Sequence, residues 1–375
     1  MEGDHIKIRE WLIPLSWLYG LGVSLRNALF DCGILHSESF EIPVISVGNI
    51  TVGGTGKTPH AEYLIRLLRR DFHVAILSRG YKRKSRGFLL ASNDTPVEMI
   101  GDEPYQMKHK YPEIHMAVDK NRCHGIKMLS APDVKPPVDV IILDDAYQHR
   151  YVIPGINILL MDYHRLICYD TLLPAGRLRE SKNNKRRADI VIVTKCPDTI
   201  TPMEQRGIER SLELYPWQKL YFSTFRYGKL KPLFNNHERE VELSDVKGNY
   251  TGIILLTGIG SPKQMEFDMQ KYFDFHPLHF SDHHVFTEKD IASIEREFES
   301  LPKGRRMIIT TEKDSTRLSA YGKLSRELMD AIYVLPIEVD FMNGKASDFN
   351  DRIIGYVRKN SRNSILHKRK DADKS

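Results

Sequence analysis

Residues 42–59 read IPVISVGNITVGGTGKTP. An apolar stretch runs into a glycine-rich turn, and Gly-Lys-Thr opens the segment that follows. A phosphate cradle requires this order. The backbone N–H groups of Gly53, Gly54, Thr55 and Gly56 can turn toward phosphate oxygens, with the positive end of a helix dipole behind them. Lys57 reaches the β- and γ-phosphates, and Thr58 offers a hydroxyl to Mg²⁺. Thr51 and Val52 begin the loop. The common pattern has glycine where Thr51 stands, and Gly53 and Gly54 are expected to supply that flexibility.

A second element fits the first. Residues 138–149 read VDVIILDDAYQH, an apolar strand ending in two carboxylates. One of Asp144 and Asp145 is expected to hold Mg²⁺, directly or through water, while the other positions substrate or metal ligands. The alternative is that both only cap the helix after them, and spacing does not say which aspartate does which. His149 follows where a loop faces the nucleotide. Asp102-Glu103-Pro104, on spacing alone, reads as a helix start. Arg79, Arg122, Arg177 and Arg179 are candidates for phosphate contacts because the guanidinium fork meets phosphate at two points. His276, His279, His283 and His284 crowd around Asp282, but their spacing matches no standard metal motif and no cysteine is near. Two strand ends, Val193-Thr194-Lys195 and Thr311-Glu312-Lys313-Asp314, are similar to nucleotide-base motifs. Pro197 takes the place of the base-reading aspartate after Lys195, so guanine selectivity is not supported.

These groups need a scaffold. Short apolar, β-branched runs at residues 43–47, 74–77, 115–118, 138–143, 156–161 and 190–193 read as strands buried on both faces. Between the first two, Ala61, Leu64, Ile65 and Leu68 line one helix face. The fold class is therefore α/β, a doubly wound parallel sheet of the P-loop NTPase kind. Residues 80–112 read as a long excursion over the sheet edge. A second, smaller α/β unit begins near Gly252, with a strand at 253–256, a helix at 288–299 and a strand at 307–310. Residues 220–227 and 332–340 read as two strands that link the units. The expected organisation is an N-terminal region at 1–35, a phosphate-loop domain at 36–220, a second domain at 221–340 and a C-terminal segment at 341–375.

Composition narrows the class. Of 375 residues, 41% are hydrophobic and 28% charged, which excludes a disordered or collagen-like chain. The net charge of +6 is concentrated at the end: seven Lys/Arg against two Asp after residue 357 leave the rest near neutral. A solvated tail and a surface for anionic lipid or nucleic acid both fit. Four scattered cysteines without a CxxC pair suit reduced thiols in a cytoplasmic protein. Residues 11–25, WLIPLSWLYGLGVSL, are too few to span a bilayer and lack a cleavage site. Two tryptophans, a tyrosine and basic flanks suit an interfacial helix, and a helix packed on the domain core fits equally.

Seven motifs come in order: SVGNITVGGTGKTP, SRGYKR (78–83), GDEP (101–104), DDAYQHR (144–150), LPAGRLRE (173–180), DHH-FT (282–287) and TTEKD (310–314). Together they resemble the tetraacyldisaccharide 4'-kinase family from the N-terminal apolar segment to about residue 340. Ala146 stands where the family usually has Gly, and Arg177 where Pro is common. The resemblance implies a kinase that uses ATP and Mg²⁺ on the 4' hydroxyl of a tetraacyl disaccharide 1-phosphate, in lipid A biosynthesis. It implies two α/β domains and work at the cytoplasmic face of the bacterial inner membrane, peripheral or monotopic. The partner is the lipid substrate; no nucleic acid or obligate protein partner is expected. By the same resemblance Asp102 is the base, and Asp282-His283 supplies a histidine that pairs with it. Lys57 acts on the transferred phosphate, and Glu103, Arg122, His149 and Arg179 face substrate. The competing readings are a P-loop kinase or GTPase for a soluble metabolite, and a non-catalytic regulatory NTPase.

Overall fold

The computed structural model describes residues 8–234, 239–260, 262–282 and 284–372, with 361–372 as helix backbone only. Its strands are β1 Val44–Gly48, β2 Val74–Ser78, β3 Leu89–Ala91, β4 His115–Val118, β5 Val140–Asp144, β6 Ile156–Asp162, β7 Ile190–Thr194, β8 Lys219–Tyr227, β9 Lys231–Pro232, β10 Gly252–Thr257, β11 His276–His279, β12 Arg306–Thr311, β13 Ile332–Leu335 and β14 Ile337–Phe341. Two sheets form, in the orders β14-β8-β7-β6-β1-β5-β2-β4-β3 and β11-β10-β12-β13-β9. The chain divides into one unit of Met1–Phe225 with Val339–Ser375 and another of Arg226–Glu338.

In the first unit β1, β2, β5, β6 and β7 are buried at every position, because helices cover both faces of a parallel sheet. β1 runs parallel between β5 and β6, so the phosphate-loop strand is central and the paired aspartates end the strand beside it. This neighbourhood places ligands at the carboxyl ends of the strands, where the strand order reverses.

Three features differ from the sequence expectation. Residues 80–112 are not an open loop. They contain β3, antiparallel to β4, and two helices, Val97–Ile100 and Asp102–Lys110. Ile100, Met107 and Tyr111 enter the main core, an apolar set hidden in sequence by the charges between them. Residues 332–340 are not one strand. Pro336 has no N–H to donate, and the chain divides there into β13 of the second sheet and β14 of the first. The C-terminal segment forms the helix Ala346–Ala372, whose Phe349, Ile353 and Val357 pack in the same core as Ile45 and Val47.

The helix Ile13–Asp31 is arranged opposite to a soluble helix. Its buried side includes Ser16, Gly20 and Asn27. A Cβ on Gly20 would come 2.7 Å from Leu172, so the two backbones approach closely. Trp17, Leu18, Leu21 and Leu25 stay outside, 61–73% exposed. No helix among the described residues is long and apolar enough to cross a membrane.

In the second unit, β10 lies between β11 and β12, all parallel. The helix Glu288–Ser300 buries Ile291, Ile294 and Phe298 at spacings of three and four, and opens with a Thr287/Asp290 capping box.

Candidate active site

β1 delivers the chain into a loop that is held from three sides. Asn49 Nδ2 donates to Thr55 Oγ1 at 2.7 Å. Thr194 Oγ1, at the end of β7, donates to Thr55 O at 3.0 Å, and Lys195 Nζ donates to Gly54 O. The same Lys195 pairs with Asp162 Oδ2 at 2.7 Å. The resemblance to a base motif therefore marks a staple on the phosphate loop. The departure at Thr51 also has a physical reason. Thr51 bridges antiparallel to Leu178, Val52 N donates to Arg177 O (2.8 Å) and Arg179 N donates to Ile50 O (2.7 Å). The loop starts as extended β structure tied to LPAGRLRE, where a β-branched residue suits and glycine is not needed.

Gly56 caps the helix Lys57–Leu68 at φ 81°, and a Cβ there would lie 2.9 Å from the Phe225 ring. One turn on, His60 is fully enclosed, and burial pushes its pKa down to about 4. The neutral ring donates from Nδ1 to Gly56 O at 2.7 Å and accepts at Nε2 from Ser223 Oγ at 3.0 Å. Lys57 and Thr58 follow Gly56 in the first helical turn.

The aspartates stand beside this lysine. Lys57 Nζ is 3.7 Å from Asp145 Oδ1, and Arg179 Nη1 is 3.5 Å from Asp145 Oδ2. Asp145 sits at φ 46°, a left-handed conformation that side chains rarely adopt outside constrained sites. Asp144 is 1% exposed and accepts from Ser78 Oγ at 3.1 Å. Burial, then the charges of Glu103 and Asp145, push its pKa up to about 7 against the pull of Lys57. Asp144 Oδ1 and Asp145 Oδ1 are buried without a hydrogen-bond partner. Two orphaned carboxylate oxygens beside a phosphate loop fit a hard divalent cation. Mg²⁺ takes one or two carboxylates and completes its shell with phosphate oxygens and water.

GDEP is presented by the packing of two glycine turns. Gly101, at φ 92°, precedes the helix, and a Cβ on it would lie 2.8 Å from Tyr81 O of SRGYKR. Asp102 and Glu103 form the first turn, both half-buried. Arg122 is 2% exposed; its guanidinium donates to Asp119 O (2.5 Å) and Asp144 O (3.3 Å), and burial lowers its pKa to about 10. His149 is pushed down to about 4 by burial, then by Arg122, Arg26 and Arg79. These three arginines make a cationic surround suited to an anionic group.

The remaining motifs lie in the second unit. Asp282 pairs with Lys313 Nζ at 3.2 Å; His283 lies outside the described residues. Asp314 is fully buried. It accepts from Gly258 N (2.8 Å) and Thr311 Oγ1 (2.7 Å) and pairs with Arg317 at 3.0 Å. TTEKD thus anchors the TGIGSP turn and does not present Asp314 to a base. His284 pairs with Asp290 in the first turn of a helix (3.0 Å), and His279 meets Thr257 and Glu266. Among the described residues no group of three or more His, Cys, Asp or Glu forms a metal site.

The family model described as tetraacyldisaccharide-1-P 4'-kinase matches residues 8–357. The chain belongs to this family. It is 60% identical over 97% of its length, and 99% of the relative's, to a tetraacyldisaccharide 4'-kinase from Phocaeicola vulgatus. It is 53% identical, end to end in both chains, to one from Bacteroides thetaiotaomicron. Among solved structures it is similar to the "apo" form of LpxK from Aquifex aeolicus in complex with ATP. That match has a TM-score of 0.69 at 30% identity and covers 93% of this chain and 99% of the other. The protein is a kinase of lipid A biosynthesis, and its α/β fold is the family's.

Sequence reasoning missed four residues that shape the site: Asn49, His60, Ser78 and Glu62. Each is a buried polar side chain within, or directly after, an element whose apolar neighbours dominate the pattern. Only a polar residue on an otherwise buried helix face, as at His60 and Glu62, could have drawn notice.

Proposed function

We propose that this kinase transfers the γ-phosphate of ATP to the 4' hydroxyl of a tetraacyl disaccharide 1-phosphate at the cytoplasmic face of the inner membrane. The observation that carries the reading is the pair of orphaned carboxylate oxygens on Asp144 and Asp145 next to Lys57. Thr58, Asp144 and Asp145 would hold Mg²⁺, which neutralises phosphate charge when bound. Backbone N–H groups of residues 53–56 and Lys57 orient the triphosphate. Lys57 and Arg179 offer positive charge to the transferred group.

Asp102 takes the proton of the attacking hydroxyl. Its place in the first turn of a helix, behind a glycine that admits close packing, gives it a fixed bearing. Asp282 and His283 remain candidate catalytic residues on the family resemblance alone. Glu103, His149 and Arg179 meet the sugar and its phosphate, while Arg122, enclosed and holding the Asp119 and Asp144 carbonyls, backs the site with its charge. The inverted helix Ile13–Asp31 supports the membrane assignment, since large exposed apolar and tryptophan side chains on one helix suit the headgroup layer.

The test is acceptor range. Purified protein with labelled ATP and Mg²⁺ is given either tetraacyl disaccharide 1-phosphate in mixed micelles or its deacylated, soluble counterpart. Label transfer to the lipid, with the soluble acceptor turned over far more slowly, supports the reading. Equal transfer to the soluble acceptor sinks the membrane part of it.

A further inference from the structure

Glu62 lies five residues after Lys57 on the phosphate-loop helix and is 1% exposed. Both of its oxygens are taken by the helix that begins at Asp102. Gln106 Nε2 donates to Oε1 at 2.8 Å, and Lys110 Nζ donates to Oε2 at 2.6 Å. Asp102, Gln106 and Lys110 recur every four residues, so they share one face of that helix. Both helices also feed the main core, which contains Ile65 from one and Met107 from the other, while the Tyr111 ring and Lys110 carry polar groups toward Glu62.

A carboxylate is an expensive choice in such a place. Removing it from water costs more than an apolar side chain of similar volume would, and the ion pair does not by itself justify the position. Directionality is what the apolar alternative lacks. Leucine against methionine tolerates sliding and rotation of one helix on another. Two hydrogen bonds from residues one turn apart to the two oxygens of one carboxylate fix both the register and the roll of the helices. The helix carrying Glu62 also carries Lys57 and Thr58, and the helix it grips carries Asp102.

We propose that Glu62 is a positioning residue for phosphoryl transfer: through Gln106 and Lys110 it sets where Asp102 stands relative to the phosphate loop. The proposal deepens the reading of Asp102 as the base and rests on it. Glu62 touches neither substrate nor nucleotide. Its effect belongs in turnover and not in ATP binding.

The test is a double-mutant cycle on the full-length protein, with wild type, Glu62→Val, Asp102→Asn and the double variant. Turnover, KM for ATP and thermal melting are measured for each, with Glu62→Gln alongside. Glu62→Val is expected to lower kcat roughly 10- to 100-fold, the scale of a small misplacement of a reacting group. KM for ATP should stay within about twofold, because uniform binding is untouched. Glu62→Gln, which keeps an acceptor for Lys110, recovers most of the turnover. In the Asp102→Asn background Glu62→Val should cost less than about threefold, since the group it places is already disabled. Full kcat in a folded Glu62→Val, or the same fold-loss with and without Asp102, overturns the proposal. Near-native turnover of Asp102→Asn removes the base reading instead, and the proposal with it. If Glu62→Val does not fold, Gln106→Leu and Lys110→Met each remove one link and enter the same cycle with the same expected outcomes.

Discussion

Lys57 Nζ stands 3.7 Å from Asp145 Oδ1, so the phosphate-loop lysine leans on one of the two strand-end aspartates. The contact is too long for a strong ion pair, and neither side chain is committed to it. On the proposed function, the triphosphate would draw on the lysine and a divalent cation on the aspartate. Lys57→Met should lower kcat on the order of 100- to 1,000-fold, the scale for losing one donor to the charge that develops in transfer. Steady-state kinetics with saturating lipid check this, and a loss under about fivefold would contradict the assignment.

Burial of His60 makes the stability of the fold fall in acid. Its folded pKa of about 4 lies below the ordinary value of 6.5. The unfolded chain therefore binds the extra proton between those values, and stability falls as pH drops through that window. By pH 5 the loss from this one group is about 2 kcal/mol, and none remains above about pH 7. His60→Gln should be somewhat less stable than wild type at pH 7 but should lose less on going to pH 5. Urea unfolding midpoints at the two pH values measure the difference. Parallel losses in both proteins would show that His60 does not stay neutral.

The P-loop nature of the site was legible because four constraints coincide in one short stretch: a strand buried on both faces, glycines, Gly-Lys-Thr and a helix. The neighbouring strand ending at Asp144 and Asp145 was legible for the same reason, since parallel strands read as continuous apolar runs. Spacing alone reads Asp102 as a helix start, which it is, and a helix N-terminus and an acid with a catalytic task look alike in sequence. The reason for the departure at Thr51 is hidden in sequence because its bridge to Leu178 links residues far apart in the chain. His60 and Glu62 show in sequence only as polar residues on a buried helix face, and what they do depends on Ser223, Gln106 and Lys110 arriving from other elements. The return of residues 349–357 to the first core is likewise a long-range fact.

Lys195 should matter to nucleotide binding and not to chemistry. It holds Gly54 O and pairs with Asp162, so its loss frees the middle of the cradle. Lys195→Met is expected to weaken ATP binding roughly tenfold, the value of one charge-assisted hydrogen bond, with kcat at saturation little changed. Calorimetric titration with ATP tests the first part. Unaltered affinity would mean that the loop keeps its shape without the staple.

The exposed side of the helix Ile13–Asp31 should govern partition to lipid. Replacing Trp17, Leu18 and Leu21 by Ser removes apolar surface that the protein's own core does not use. Binding to anionic vesicles should fall on the order of 100-fold. Melting temperature should hold, because the buried side with Ser16 and Gly20 is untouched. Sedimentation with vesicles checks the first outcome, and unchanged partition would remove this helix from the membrane account.

The most direct test of the central claim is the chemical position of the new phosphate. Tetraacyl disaccharide 1-phosphate is incubated with ATP, Mg²⁺ and either wild type or Asp102→Asn, and the lipid product is read by phosphorus NMR. The account predicts a second phosphomonoester on the 4' oxygen with wild type and a large loss of its rate with Asp102→Asn. Phosphate at another position, or 4' product formed as fast by Asp102→Asn, would contradict it.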